Sequence, residues 1–351
     1  MKTSTLSLPI NNLLQQGTVI PAHPLALHED LSIDEKRQRA LTRYYIACGA
    51  GGVAVGVHTT QFEIREPKFN LYEPVLRLAA EEITAASLNR PFIKVAGICG
   101  PTENALREAE LAVRYGFHLG LVSMGGLAGY SEAELIERVR AIAAIIPVFG
   151  FYLQPAVGGR ILTYDFWQQF SEIPNVQAIK VAAFNRYQTL DVVRAVCNSS
   201  RQDQIALYTG NDDNIVADLL TPYRFKVKNR MIEKRFVGGL LGHWAVWTKK
   251  AVEVFYEIKQ CIDDDGDIEK LLTKGVEVTD MNAVIFDVKN SFKGCIAGIH
   301  EVLRRQGLLQ GIWCLNPEEK LSPGQLREIE RIYESYPQYT DDAYAVKFVL
   351  A

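Results

Sequence analysis

The sequence predicts an α/β fold: a (β/α)8 TIM barrel followed by a C-terminal helical extension. Three observations carry this. Eight short β-rich runs alternate with helical patterns through about the first 245 residues. The runs are continuously apolar rather than strictly alternating, which suits parallel strands covered by helices on their outer face. From residue 246 onward only helical patterns remain, so residues 1–245 read as the barrel with its N-terminal lead-in and 246–351 as the extension. Eight repeats of ordinary length favour a closed barrel over an open doubly wound sheet. No strand is followed by GxGxxG or GxxxxGK[ST], and "GAGG" at 49–52 reads as a helix stop before a strand.

In chain order the strands are "TVIPA" (18–22), "GGVAVGV" (51–57), "FIKVAGI" (92–98), "LGLVSM" (119–124), "PVFGFYL" (147–153), "VQAIKVA" (176–182), "IALYTG" (205–210) and "RFVGGLLG" (235–242). The first helix, "SIDEKRQRALTRYYIACG", opens on Ser32 and Glu35 at capping-box spacing and stops at Gly49. "SEAELIERVRAIAAII" repeats the device with Ser131 and Glu134, placing Leu135, Val139, Ile142 and Ile146 along one face. "TENALREAELAVRYG", "LTYDFWQQFSEI", "YQTLDVVRAVCN" and "DDNIVADLL" follow strands three, five, six and seven. Between the seventh helix and the eighth strand, residues 221–235 carry six basic residues against one acid; Arg224, Lys226 and Lys228 alternate with Phe225 and Val227, the pattern of a solvated hairpin, with an oligomer contact or anion site as the sharper alternative. The extension reads as four helices, the third spanning "NAVIFDVKNSFKGCIAGIHEVLRRQGL".

Composition narrows the class of partner. The chain has 351 residues, 48% hydrophobic and 23% charged, with net charge -3 and pI near 6.1, a balance that gives no electrostatic reason to expect nucleic acid or an anionic membrane. "MKTSTLSLPINNLLQQG" lacks the apolar core of a secretory signal, and no run approaches the roughly 20 apolar residues of a membrane span. Six scattered cysteines without a CxxC pair suit reduced thiols, so the expected location is cytoplasmic. The histidines show no HxH or HExxH spacing, and neither metal nor cofactor is expected. "DDDGD" at 263–267 lacks the alternating ligands and closing glutamate of a calcium loop and reads as a helix N-terminus.

Reactive groups of such a barrel stand at the C-terminal ends of its strands. There the sequence offers Thr59 and Thr60 after strand two, Ser123 after four, Tyr152 on five, Lys180 on six, and Asn211, Asp212 and Asp213 after seven, with His58 and His243 nearby. Lys180 follows Tyr152 by one βα repeat, which predicts equivalent heights on neighbouring strands roughly 5 Å apart, both facing the barrel interior. Burial favours the neutral form of an amine. A neutral lysine attacks a carbonyl carbon to form an imine, and a tyrosine within reach can move the protons this requires. The plainer alternatives are an outward lysine at a strand mouth and a barrel tyrosine with a satisfied hydroxyl. His58 reads as a loop anchor.

Four motifs then carry a family resemblance. "FYLQPAVGG" resembles the Y-N-x-P-x-x-x-G stretch of the dihydrodipicolinate synthase and N-acetylneuraminate lyase family, "AIKVAAFN" its G-x-K-[ED]-[AS] segment, "GVHTTQFE" its G-T-T-G-E loop and "YTGNDD" its S-G-[DN]-D after strand seven. The resemblance implies a Schiff-base-forming aldolase on a (β/α)8 barrel. Lys180 would form the imine, Tyr152 would shuttle protons, Thr59 would relay them, and Thr59 and Thr60 would hold a 2-oxo acid carboxylate. It also implies a homo-oligomer, tetramer or dimer. Departures limit the substrate: Gln61-Phe62 replaces Gly-Glu, Leu153 replaces an asparagine, and Val157 stands where dihydrodipicolinate synthases carry a carboxylate-binding arginine, with Arg160 three positions further on and Tyr130 a weak stand-in for a tyrosine borrowed across subunits. Losing that bidentate partner argues against dihydrodipicolinate synthesis itself. The expectation is a lyase of the aldolase type acting on a 2-oxo acid. The alternatives are a dehydratase of a 2-oxo sugar acid on the same site, and a catalytically silent barrel serving as a binding or assembly subunit.

Overall fold

All eight apolar runs become parallel strands, because a run buried on both faces is satisfied only between a filled interior and an outer layer of helices. The computed structural model describes residues 4–264 and 266–348. The barrel strands are β1 (Val19–Pro21), β2 (Gly52–Val55), β3 (Ile93–Ile98), β4 (Leu119–Val122), β5 (Val148–Leu153), β6 (Val176–Ala182), β7 (Ala206–Thr209) and, after the hairpin β8 (Tyr223–Val227) and β9 (Arg230–Lys234), β10 (Phe236–Leu241). They run in the order β1-β10-β7-β6-β5-β4-β3-β2. The ring is closed by a parallel bridge between Ala22 and Ala54, with the His23 N–H donating to the Ala54 carbonyl at 2.8 Å. The chain folds as a (β/α)8 TIM barrel with a C-terminal helical extension.

Around the strands lie α2 (Glu35–Ala47), α3 (Tyr72–Ala85), α4 (Thr102–Arg114), α5 (Glu132–Ala143), α6 (Tyr164–Ser171), α7 (Arg186–Asn198) and α8 (Ile215–Leu220). The expected capping box of α5 forms, with Ser131 and Glu134 exchanging side-chain and backbone bonds. That of α2 does not: its cap is Asp34, which accepts from the Arg37 N–H, while the Ser32 hydroxyl turns back to Asp30. Two helices absent from the sequence reading appear, α3 and the N-terminal α1 (Leu8–Gln16). Helix α1 places Ile10 and Leu14 in the same apolar cluster as Ile20, Ile93, Leu119 and Phe149, closing the end of the barrel away from the strand C-termini. The Tyr208 hydroxyl donates to its Leu14 carbonyl at 2.9 Å. Gly17 ends it at φ 85°, where a Cβ would stand 1.8 Å from the Val237 oxygen, so only glycine can make this corner.

Residues 221–235 form the expected hairpin, antiparallel from Tyr223 opposite Lys234 to Val227 opposite Arg230, with Arg224, Lys226, Lys228 and Arg230 exposed and Lys234 and Arg235 half-buried. Beyond β10 come α9 (Thr248–Asp264), α10 (Ile268–Ile285), α11 (Cys295–Arg305), α12 (Gln325–Ser335) and the short α13 (Asp342–Ala345). The expected single helix over "NAVIFDVKNSFKGCIAGIHEVLRRQGL" is two. Residues 286–294 break it, with Asp287, Ser291 and Phe292 in the left-handed region. Within "DDDGD", Asp265 lies outside the described residues and Asp267 caps α10 by accepting from the Lys270 N–H. No helix among the described residues is long and apolar enough to cross a membrane.

Candidate active site

Alternation along each strand decides which side chains reach the interior. On β6, Ala178, Lys180 and Ala182 face inward while Ile179 and Val181 join the outer core; on β5, Phe149, Phe151 and Leu153 face inward. Lys180 therefore ends in a small cavity of about 50 Å³ at the C-terminal mouth, only 7% exposed. Its Nζ lies 4.4 Å from the centre of the Phe151 ring. Gly210 makes room for it, since a Cβ there would sit 2.5 Å from the lysine Cε. Burial holds the amine well below its ordinary pKa of 10.5, and the charge of Asp212 opposes that shift without cancelling it.

Tyr152 is not beside Lys180. Val148 pairs with Val176, but Phe149 pairs with Ala178, so Gln177 is an extra residue on β6 and every later pair is offset by one: Lys180 stands next to Phe151, and Tyr152 next to Val181. A one-residue slip sends a side chain to the other face. Tyr152 accordingly stacks on Trp167 at 5.2 Å in the helix layer, and its hydroxyl donates to the Leu162 carbonyl at 3.3 Å and accepts from the Leu162 N–H at 3.2 Å. Tyr152→Phe is expected to leave the reactivity of the Lys180 amine toward carbonyl reagents within about threefold of the parent protein and to cost about 1 kcal/mol of stability in a denaturant melt. A proton shuttle at this position would instead cost about 100-fold in rate.

The threonines divide. Thr59 lines the cavity, with its hydroxyl donating to the His23 carbonyl at 3.2 Å. Thr60 is fully buried and spent on the loop: its hydroxyl donates to His23 at 2.6 Å and accepts from the Gly56 and Val57 N–H groups, and its own N–H donates to Val57. It is not available to a substrate, and Thr59 has no route to Tyr152. The His58 carbonyl accepts from the Gln61 N–H at 2.9 Å, but its ring makes no hydrogen bond among the described residues; the ring faces the cavity, tilted on Phe62, its pKa pushed down to about 4 by burial and by the charge of Lys180.

Asp212 completes the wall, from the loop after β7. Its Oδ1 accepts from the His243 N–H at 3.0 Å, and burial raises its pKa while that bond and Lys180 pull it back. The loop is braced by the fully buried Asp218, which accepts from Thr209 at 2.7 Å, Asn211 at 2.9 Å, Asn214 at 3.0 Å and Tyr223 at 3.0 Å and pairs with Arg186. Asn211 in turn accepts from the Phe184 N–H at 3.0 Å, tying the β7 loop to the β6 loop.

Apart from Gln154 and Cys295 the rest of the lining is apolar: Leu153, Val157 and Phe184 from the barrel, and Phe286, Phe292 and Ile299 from the extension. Sequence reasoning missed the extension residues because nothing local marks a helix pair as a cap on a barrel mouth. Arg160 does not replace the missing arginine, since its guanidinium donates to the Leu127 and Tyr130 carbonyls at 2.9 and 3.0 Å. Gln61, at φ 68° where the related motif has glycine, is held by its Oε1 accepting from the Leu315 N–H of the extension at 2.6 Å. An outer cleft of about 470 Å³, walled by Phe62 and Lys293 among others, lies above the cavity.

No family model matches the chain. Among curated proteins it is 25% identical over 201 residues to a 4-hydroxy-tetrahydrodipicolinate synthase of Azoarcus sp., covering 55% of this chain and 63% of that one. It is 28% identical over 205 residues to an N-acetylneuraminate lyase of Citrobacter koseri, covering 58% and 65%. The chain thus spans less than two thirds of the length of the curated relatives it matches. Among solved structures, dihydrodipicolinate synthase from Oceanobacillus iheyensis superposes with a TM-score of 0.73 at 17% identity, over 94% of this chain and 99% of that one. N-acetylneuraminate lyase from Fusobacterium nucleatum gives 0.69 at 16%, over 93% and 99%. The chain thus shares the barrel of these solved structures along nearly its whole length, and over part of its length its sequence is similar to both a dihydrodipicolinate synthase and an N-acetylneuraminate lyase.

Proposed function

We propose that the protein is an imine-forming lyase of the aldolase type, acting on a 2-oxo acid that carries an apolar, preferably aromatic, substituent. The observation that supports this most is the buried Lys180 amine, placed over Phe151 at the mouth of the barrel, with its pKa held below the ordinary 10.5 by burial so that the neutral form is reached more readily. A neutral amine there is the nucleophile for a carbonyl carbon, and the protonated imine accepts the electron pair of the carbon–carbon bond being cleaved. Thr59 is the group in reach for the substrate carboxylate, through its N–H, which has no backbone partner among the described residues, while its hydroxyl proton is held by the His23 carbonyl.

The apolar wall chooses the substituent. Sugar hydroxyls set against Leu153, Val157, Phe184, Phe286 and Phe292 would lose their water without gaining partners, whereas a ring would bury its faces there. For the same reason this reading stands apart from dihydrodipicolinate synthesis, whose second substrate needs a cation where Val157 stands, and from dehydration of a sugar acid.

Borohydride reduction in the presence of pyruvate and a panel of larger 2-oxo acids, read by intact mass and peptide mapping, tests this. A reduced adduct on Lys180 is expected, and condensation of pyruvate with aromatic aldehydes should outpace that with sugar aldehydes. No adduct with any 2-oxo acid would leave the silent barrel as the better reading.

A further inference from the structure

With Tyr152 turned into the helix layer, imine chemistry at Lys180 needs another group to move protons. We propose that Asp212 is that group, donating and accepting each proton across the cavity from Lys180; this rests on the imine reading above.

Geometry carries the assignment. Asp212 and Lys180 line the same cavity, yet no ion pair within 4.0 Å joins them among the described residues, which leaves space between amine and carboxyl for a reacting carbon. The carboxylate is aimed rather than loose: Oδ1 is pinned by the His243 N–H at 3.0 Å, and the Asp212 carbonyl accepts from Asn282 Nδ2 at 2.7 Å. With Oδ1 engaged, Oδ2 is left for the cavity. The other polar side chains on this wall are less suited. The Thr59 hydroxyl is committed to His23, the Gln154 amide neither gains nor loses a proton in water, the Cys295 thiol is pushed far above its ordinary pKa by burial, and the His58 imidazole stays neutral.

Every proton is then accounted for. The neutral amine adds to the 2-oxo carbon, and one of its protons passes to the former carbonyl oxygen. Asp212 protonates that hydroxyl; the carbon–oxygen bond breaks, water leaves, and the nitrogen lone pair completes the protonated imine. The carboxylate so formed takes the proton of a hydroxyl on C4 as the C3–C4 bond breaks. The electron pair of that bond enters C2=C3 of an enamine, the imine π pair returns to nitrogen, and C4 leaves as an aldehyde. Asp212 returns its proton to C3, and water releases the shortened 2-oxo acid from the lysine. The productive starting state has one proton on the pair, held by the carboxyl, with the amine neutral. The groups facing Asp212 that bear on this state are Lys180 from β6, His243 after β10, Asp213 on the same loop and Cys295 from α11.

The experiment is the rate of borohydride trapping of pyruvate on Lys180 as a function of pH, in the parent protein, Asp212→Asn and Asp212→Glu. A bell-shaped profile is expected for the parent, a fall of about 100-fold with loss of the bell for Asp212→Asn, and partial recovery for Asp212→Glu. Asp212→Asn trapping at the parental rate with an unchanged bell overturns the role of Asp212 alone; absence of an adduct in the parent overturns the imine reading and this proposal with it. If the asparagine variant does not fold, the parental profile decides, since a rise with lysine deprotonation and no alkaline fall overturns the proposal.

Discussion

Lys180→Met is expected to remove every trapped adduct and at the same time to make the protein harder to unfold, by about 1–3 kcal/mol at neutral pH. The two effects share a cause. An amine that is 7% exposed and has only a ring face and a distant carboxylate for company is costly to bury, and methionine fills nearly the same volume without a charge. The pH dependence follows from the sign of the shift. Because the folded-state pKa is lowered, the unfolded chain binds the extra proton up to about its ordinary 10.5, so the parent gains stability as pH rises through that interval. The advantage of the methionine variant should therefore be full at neutral pH and shrink as pH approaches 10.5. Denaturant melts at several pH values measure it; a variant less stable than the parent at neutral pH would show the amine to be better satisfied than its surroundings indicate.

Asp218→Ala carries the largest expected loss of stability, about 3–5 kcal/mol in a urea melt. No other carboxylate described here gathers four hydrogen-bonding side chains and an arginine while itself fully buried. Truncating it strands the Thr209 hydroxyl and the Asn211 amide inside the protein and leaves Arg186 without its partner. Asn211 also holds the Phe184 N–H, so both loops that flank the cavity loosen together, and trapping at Lys180 should slow even where the variant remains folded. A loss below about 1 kcal/mol would mean that water replaces the missing oxygens, which a half-exposed Arg186 permits but a buried Thr209 does not.

How much of this was written locally in the chain can be seen residue by residue. The barrel strands were legible because continuous apolar runs between turn signals have few other uses. Helix α3 escaped notice because Leu71 stands at its N-cap without a side-chain bond, and α1 because Ser7 caps nothing either. Ser32 was mistaken for a cap because Asp34, two residues on, does the same work. The inward, buried placement of Lys180 was legible from its position in an apolar run. Tyr152 was misplaced because equal spacing on two strands fixes height only when the register is unbroken, and the extra residue at Gln177 is invisible to a count between motifs. The aromatic cap from the 286–294 break between α10 and α11 was not legible at all, since it depends on contacts across more than a hundred residues of chain.

The bond from Gln61 to the Leu315 N–H has a bearing on the order in which the protein can be assembled. A non-glycine residue in the left-handed region costs roughly 1 kcal/mol or more, and here the compensation comes from a segment synthesised some 250 residues later. A growing chain exposes its barrel strands first. Until the extension through Leu315 has emerged and docked, the loop carrying Thr59 lacks that bond and the mouth has no aromatic roof. The nascent barrel can thus close its sheet long before it can hold a substrate, so that folding of the scaffold and maturation of the binding site are separate events in time.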